Sequence, residues 1–299
     1  MASRLVVLAL LALTASAEAR VHELGATPVF EPARISRKLP AFAQGLDEIA
    51  RRGKSWRIET EHGAVRVWIP EDYDAATAAT VVFVHGYWTD CDAAWTDYRL
   101  PEQFALSGIN AMFVVPEAPA NKKSKVAWPS LDALIAQVTA EVDVAMPAGR
   151  LVAMGHSGAY RTLAGWLVNK RLDTVVLFDA VYREYRFAPW VRRVESHRLV
   201  NIAYETSRYS DVMHKRLPKT VRVAGLPLFG FPDARIVYAT TDVGHWHLVT
   251  DGVALPMALR ALDLAFVRGA PLEHPLGLAA RDGLDRHVAA DPPQPRGLD

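Results

Sequence analysis

Six short, almost unbroken apolar runs constrain this chain more than any other feature: 80–84 (T-V-V-F-V), 110–115 (N-A-M-F-V-V), 151–154 (L-V-A-M), 173–178 (D-T-V-V-L-F), 198–203 (R-L-V-N-I-A) and 234–239 (A-R-I-V-Y-A). A strand with one wet face alternates apolar and polar residues. A run without that relief is buried on both faces and belongs to a mostly parallel sheet covered by helices on either side. Segments with helical spacing separate the runs: 93–106, 130–144 with Leu131, Leu134, Ile135, Val138 and Val142 on one face, 158–169, and 254–267. Upstream, 56–60 and 64–69 flank Glu61-His62-Gly63 and read as an antiparallel hairpin at a sheet edge. The expected architecture is α/β. It has a doubly wound, mostly parallel sheet of about eight strands behind an N-terminal antiparallel hairpin, with its site at the carboxyl ends of the strands.

The third run leads into R-L-V-A-M-G-H-S-G-A-Y-R, 150–161, where a strand breaks at Ser157 and the sequence turns helical from Tyr160. A serine on so sharp a strand-to-helix turn needs nearly absent side chains two positions either side, because the two backbones approach closely there. Gly155 meets that need. Ala159 departs from it by one methyl group.

Composition narrows the class. The 34 basic residues against 33 acidic ones give a near-neutral chain, which argues against a general nucleic-acid binder. Residues 1–19 read as a secretory signal, with Arg4 before the apolar stretch 5–13 and Ala17-Glu18-Ala19 as a cleavage site, so a secreted or periplasmic location is expected. The stretch is too short to cross a bilayer, and no transmembrane segment is expected after its removal. Cys91 is the one cysteine, so no intramolecular disulfide can form, and it reads as structural. The expected boundaries are a lead-in over 20–53 with one helix at 40–51, a catalytic-size domain over 54–270, and a tail over 271–299 rich in Pro, Gly, Asp and Arg.

An antiparallel hairpin, parallel strands, an elbow serine after the fifth strand and a histidine after the last together resemble the α/β-hydrolase fold, in the manner of lipases and esterases. The resemblance covers 55–267. It implies a Ser, acid, His order along the chain. A serine hydroxyl needs a base to activate it and a third group to fix the base's tautomer. Ser157 is then the nucleophile. The base comes from Thr240-Thr241-Asp242-Val243-Gly244-His245-Trp246-His247, where His245 is preferred because His247 leads into the apolar Leu248-Val249. Two histidines at this spacing, without further ligands, do not make a metal centre, and no metal or organic cofactor is implied.

The acid has two candidate places, of which the first is preferred. Asp179 ends the run V-V-L-F-D-A and partly matches the L-D-P-A motif of pancreatic-type lipases; Glu205 stands one strand later, where most members of the fold carry the acid, with Asp211 more distant. The resemblance also implies an oxyanion hole from the backbone N–H groups of Gly158 and Tyr87, the latter following His85-Gly86. His85 and His156 read as buried structural histidines.

The aromatic groups Tyr87, Trp88, Trp95 and Tyr182, Tyr185, Phe187, Trp190 read first as packing around the site. Basic residues Arg183, Arg186, Arg192, Arg193, Arg198 and Lys122, Lys123, Lys125 favour an anionic substrate if they line its mouth. The segment 206–233 is long enough to serve as a lid. The resulting expectation is a serine hydrolase of a small-molecule ester or amide, against a non-catalytic binding protein on the same scaffold.

Overall fold

The computed structural model describes residues 46–268 other than 184, 228 and 229. The expected leader, most of the lead-in and the tail lie outside the described residues. Nine strands form one sheet among them: β1 Lys54–Ile58, β2 Val65–Ile69, β3 Ala79–Val84, β4 Ala111–Pro116, β5 Leu151–His156, β6 Leu172–Phe178, β7 Arg198–Ala203, β8 Val221–Ala224 and β9 Ile236–Thr240. Their spatial order is β1-β2-β4-β3-β5-β6-β7-β9-β8. The pairs β1–β2 and β2–β4 are antiparallel, and all the others are parallel. This is the α/β-hydrolase fold, with one more strand than the approximate count read from the sequence.

The hairpin forms because Gly63 takes a φ of 97° at its turn, where a side chain would be strained. Thr60 closes the turn by accepting from the His62 N–H at 3.0 Å and donating to the Gly63 carbonyl at 2.6 Å. Beyond it, alternate residues of each buried strand enter opposite cores. Val82 and Val84, Ala153, Val175 and Leu177 face one layer of helices, whereas Val81 and Phe83, Met154, Val176 and Phe178 face the other. The first layer holds α4 Leu131–Glu141, α5 Tyr160–Trp166, α6 Phe187–Arg193 and α7 Ser207–His214. The second holds α2 Cys91–Asp97, α3 Leu100–Ser107, α8 His247–Thr250 and α9 Ala254–Arg260. A preceding helix, α1 Leu46–Arg52, is tied to β2 by the Trp68 indole N–H, which donates to the Ala50 carbonyl at 2.9 Å. Burying each large apolar side chain contributes about 1.5–3 kcal/mol, so this two-sided burial is what fixes the register of the runs.

The structure corrects three expectations. The helix read over 93–106 is two helices, because Arg99 adopts a φ of 53° between α2 and α3 and Pro101 restarts the second. The segment 206–233 is not a simple lid: it carries α7 and then β8, which pairs with β9 from Val221 opposite Val237 to Ala224 opposite Thr240 and becomes the outer strand. The final helix stops at Arg260 rather than 267. Asp263 turns the chain at a φ of 53°, and Phe266 pairs with Ile109 instead.

Parallel strands send all their carboxyl ends to one edge. His85-Gly86-Tyr87 follow β3 there, Ser157 follows β5, Asp179 follows β6, Tyr204 to Thr206 follow β7, and the loop carrying His245 follows β9.

Candidate active site

Ser157 has a φ of 52°, in the left-handed region that costs a non-glycine residue on the order of 1–3 kcal/mol. The neighbours that hold it there are small. A Cβ added to Gly86 would lie 3.0 Å from the Ser157 Cβ, and one added to Gly155 would lie 2.6 Å from the Ala159 Cβ. The extra methyl of Ala159 is therefore accommodated by the bare Gly155. A 3-10 turn over Ser157–Ala159 leads into α5. Gly158 stands in its first turn, where a backbone N–H has no preceding carbonyl to bond.

Asp179 is completely buried and also left-handed, with a φ of 49°. Its Oδ1 accepts from the N–H groups of Tyr204 at 2.9 Å and Thr206 at 2.8 Å and from the Thr206 hydroxyl at 2.7 Å. Its Oδ2 accepts from the Glu205 N–H at 3.1 Å and from His245 Nδ1 at 2.6 Å. Burial alone would raise this carboxyl. The hydrogen bonds from His245, Thr206 and Tyr204 outweigh it and hold the group well below the usual carboxylate range. A permanently ionised acceptor fixes the imidazole proton on Nδ1 and leaves Nε2 as the basic nitrogen.

Of the two acids weighed from the sequence, Asp179 is thus the one bonded to an imidazole, and His245 is the histidine it meets. Glu205 contributes its backbone N–H to that acid while its side chain is exposed. His247 instead opens α8, and its Nδ1 lies 3.0 Å from where a Cβ on Gly244 would be. Gly244 is therefore needed for close approach rather than for a left-handed turn. Donor atoms of Asp179, Glu205 and His245 lie within 4.8 Å of one another. Both Asp179 oxygens already accept hydrogen bonds, so the chemistry of this trio is that of a carboxylate orienting an imidazole rather than that of a metal centre.

On the other side of the serine, Tyr87 covers Gly158 so closely that a Cβ there would fall 2.4 Å from the tyrosine ring. The two expected oxyanion donors are thereby neighbours. His85 is fully buried, with Nδ1 bonded to the Gly86 carbonyl at 2.8 Å and Nε2 accepting the Ala118 N–H at 3.0 Å, which suits its structural reading. Cys91 is buried as well. Its thiol donates to the Val115 carbonyl at 3.1 Å, and burial pushes it up to about 12, so no reactive thiolate forms at neutral pH.

The sequence placed Tyr182 only among packing aromatics. In the structure burial, followed by the nearby Asp179 and Glu205, raises its hydroxyl above its ordinary range against an opposing interaction with Ser157, so it stays protonated. Tyr160 and Tyr209 flank it at ring separations of 5.6 and 6.5 Å. Thr206 was missed altogether, because nothing in its local spelling marks a residue that caps an acid 27 positions earlier. Among the basic residues, Arg198 begins β7 at the opposite edge, paired with Asp233 at 3.1 Å, so it does not line the site. Arg183 lies against the ring of Tyr209, 5.8 Å from its centroid, as Arg208 does at 4.5 Å. Arg161 ties the lysine-rich loop down by donating to the carbonyls of Asn121, Lys122 and Ser124.

The sheet order is that of the α/β-hydrolase fold. No family model matches the chain, and no curated protein matches it. Among solved structures it is similar to a mutant feruloyl esterase module from Clostridium thermocellum complexed with sinapinate, with 12% identity and a TM-score of 0.49 over 70% of this chain and 89% of that one. It is similar to enterochelin esterase from Shigella flexneri, with 15% identity and a TM-score of 0.49 over 71% of this chain and only 58% of that one. An esterase from Pyrococcus furiosus shows 15% identity and a TM-score of 0.40 over 67% and 86%.

Proposed function

We propose that this chain is an exported serine hydrolase that cleaves a small carboxylic ester through an acyl-enzyme. The 2.6 Å bond between His245 Nδ1 and a buried carboxylate, at the strand edge that carries a strained serine, is the observation that supports it. In this reading Ser157 Oγ attacks the carbonyl carbon and its proton passes to His245 Nε2. The carbonyl electron pair moves onto oxygen, where the N–H groups of Tyr87 and Gly158 receive it. As the tetrahedral adduct collapses, the leaving alcohol takes the proton from Nε2. Water then enters, gives a proton to the same nitrogen, and releases the acid by the reverse sequence.

An ester is favoured over an amide on fold analogy alone. Arg183 and Arg208 beside Tyr209 support an anionic substrate, and the near-neutral overall charge speaks against nucleic acid. Among the described residues no helix is long and apolar enough to cross a membrane. The leader-like residues 1–19 support export, which N-terminal sequencing of secreted protein tests by the appearance of Arg20 as the first residue.

The decisive experiment uses a fluorophosphonate probe. Stoichiometric labelling of Ser157, abolished in Ser157→Ala and reduced in His245→Ala but not in His247→Ala, is the expected result. Folded protein that takes up no label sinks the reading.

A further inference from the structure

His156 precedes the nucleophile and is completely buried. Its Nε2 lies 3.0 Å from the main-chain oxygen of His245. A carbonyl oxygen only accepts, so Nε2 carries the proton and Nδ1 is a bare lone pair. No hydrogen-bond partner reaches Nδ1 among the described residues. Gly86 passes it closely, since a Cβ there would stand 3.1 Å from that nitrogen. The ring is enclosed by His245 at 4.4 Å, Trp246 at 5.3 Å and Tyr98 at 6.3 Å. Leaving one nitrogen of a buried histidine unpaired costs about 1–3 kcal/mol, which a residue serving only to fill space would not incur.

Sheet order gives that bond a purpose. β6 and β7 lie between β5, which carries the serine, and β9, which carries the imidazole, so no ladder hydrogen bond joins the two catalytic strands. Asp179, from β6, holds the imidazole by its Nδ1. A ring held at one nitrogen can still pivot about that bond unless its own backbone is fixed.

We propose that His156 is a positioning residue for the base, its Nε2–H clamping the His245 carbonyl to the end of the strand that carries Ser157. The role rests on the proposed hydrolase reading, in which His245 takes the serine proton. The imidazole then has two independent tethers, one through its side chain to β6 and one through its backbone to β5. Burial first, then the neighbouring His245, pushes His156 well below its ordinary value, so the clamp stays neutral while the base beside it gains and loses a proton.

Two arms test the role. In the wild-type protein labelled with 15N-histidine, His156 is expected as the Nε2–H tautomer, unchanged from pH 5 to 8. An Nδ1–H tautomer, or titration within that range, overturns the clamp without any mutation. In the second arm His156→Phe keeps a ring and loses the N–H, whereas His156→Gln keeps an N–H donor. Phenylalanine is expected to lower kcat on an activated ester about 10-fold to 100-fold with KM within about twofold, and to slow fluorophosphonate labelling equally. Glutamine is expected to restore most of the loss. Wild-type kcat in the phenylalanine variant overturns the role, as does an equal loss in both variants. Should the phenylalanine variant not fold, the spectrum and the glutamine variant decide, a loss of kcat with glutamine as large as 100-fold counting against the clamp. Wild-type protein that takes no label removes the hydrolase reading and this role with it; labelled wild type beside an indifferent His156→Phe removes this role alone.

Discussion

A Cβ on Gly155 would stand 2.6 Å from the Cβ of Ala159, so the methyl that departs from the glycine-flanked spelling of the elbow fills the room the first glycine leaves. The same added carbon would also lie 2.7 Å from Leu163 Cδ1. Gly155→Ala is therefore expected to destabilise folding by about 1–3 kcal/mol, the cost of overpacking a closed site. Adding Ala159→Gly in that background should recover part of the loss, since Leu163 remains. Urea denaturation of the two variants checks this; an unchanged midpoint in Gly155→Ala contradicts it.

Asp179 is expected to dominate over Glu205. Asp179→Asn presents an amide to His245 Nδ1, which favours the wrong tautomer, and should lower kcat about 10³-fold to 10⁴-fold. Glu205→Gln should stay within about threefold, because what residue 205 gives the acid is its backbone N–H, which the substitution keeps. Steady-state hydrolysis of p-nitrophenyl acetate ranks the two, and the opposite ranking would move the acid.

Gly158→Ala sets a carbon 2.4–2.5 Å from three atoms of the Tyr87 ring, including Cγ close to its backbone. The ring and the N–H behind it must shift together. The expected loss is about 10²-fold to 10³-fold in kcat, the scale of removing one oxyanion donor, with little change in KM. Full activity in this variant would place the oxyanion elsewhere.

His214 predicts acid lability. It is buried against Tyr238 with rings 4.5 Å apart, accepts from the Asn201 amide at 3.2 Å, and burial lowers it to about 4. Protonation therefore favours the unfolded chain, where histidine titrates near its ordinary 6.5. Stability is fully present above pH 6.5 and falls as the pH drops toward 4, by about 3 kcal/mol from this group. His214→Gln should flatten that part of the slope between pH 7.5 and 4.5. An equally steep loss in the variant contradicts the assignment.

The sheet was legible because parallel strands buried on both faces leave unbroken apolar runs, and 173–178 or 198–203 are hard to read otherwise. The weaker V-R-V-A of β8 was not, since an exposed edge strand carries no such signature. The split at Arg99 was hidden by apolar spacing that continues across it. In the site, Ser157 and the loop of His245 could be read from local turn chemistry and order along the chain. The choice between Asp179 and Glu205 could not, because both end strands at the same edge. What separates them is the convergence of Tyr204, Glu205 and Thr206 on one carboxylate, a property of backbone direction rather than of residue type. His156 and Tyr182 were visible as residues but not as contacts.

That grip by main-chain atoms has a consequence for variation. Position 204 presents an amide proton to the acid and turns its side chain to solvent, so that side chain can be exchanged while the bond to the carboxylate is kept. It is a place where this scaffold can vary its surface while the hydrogen bonds beneath stay the same.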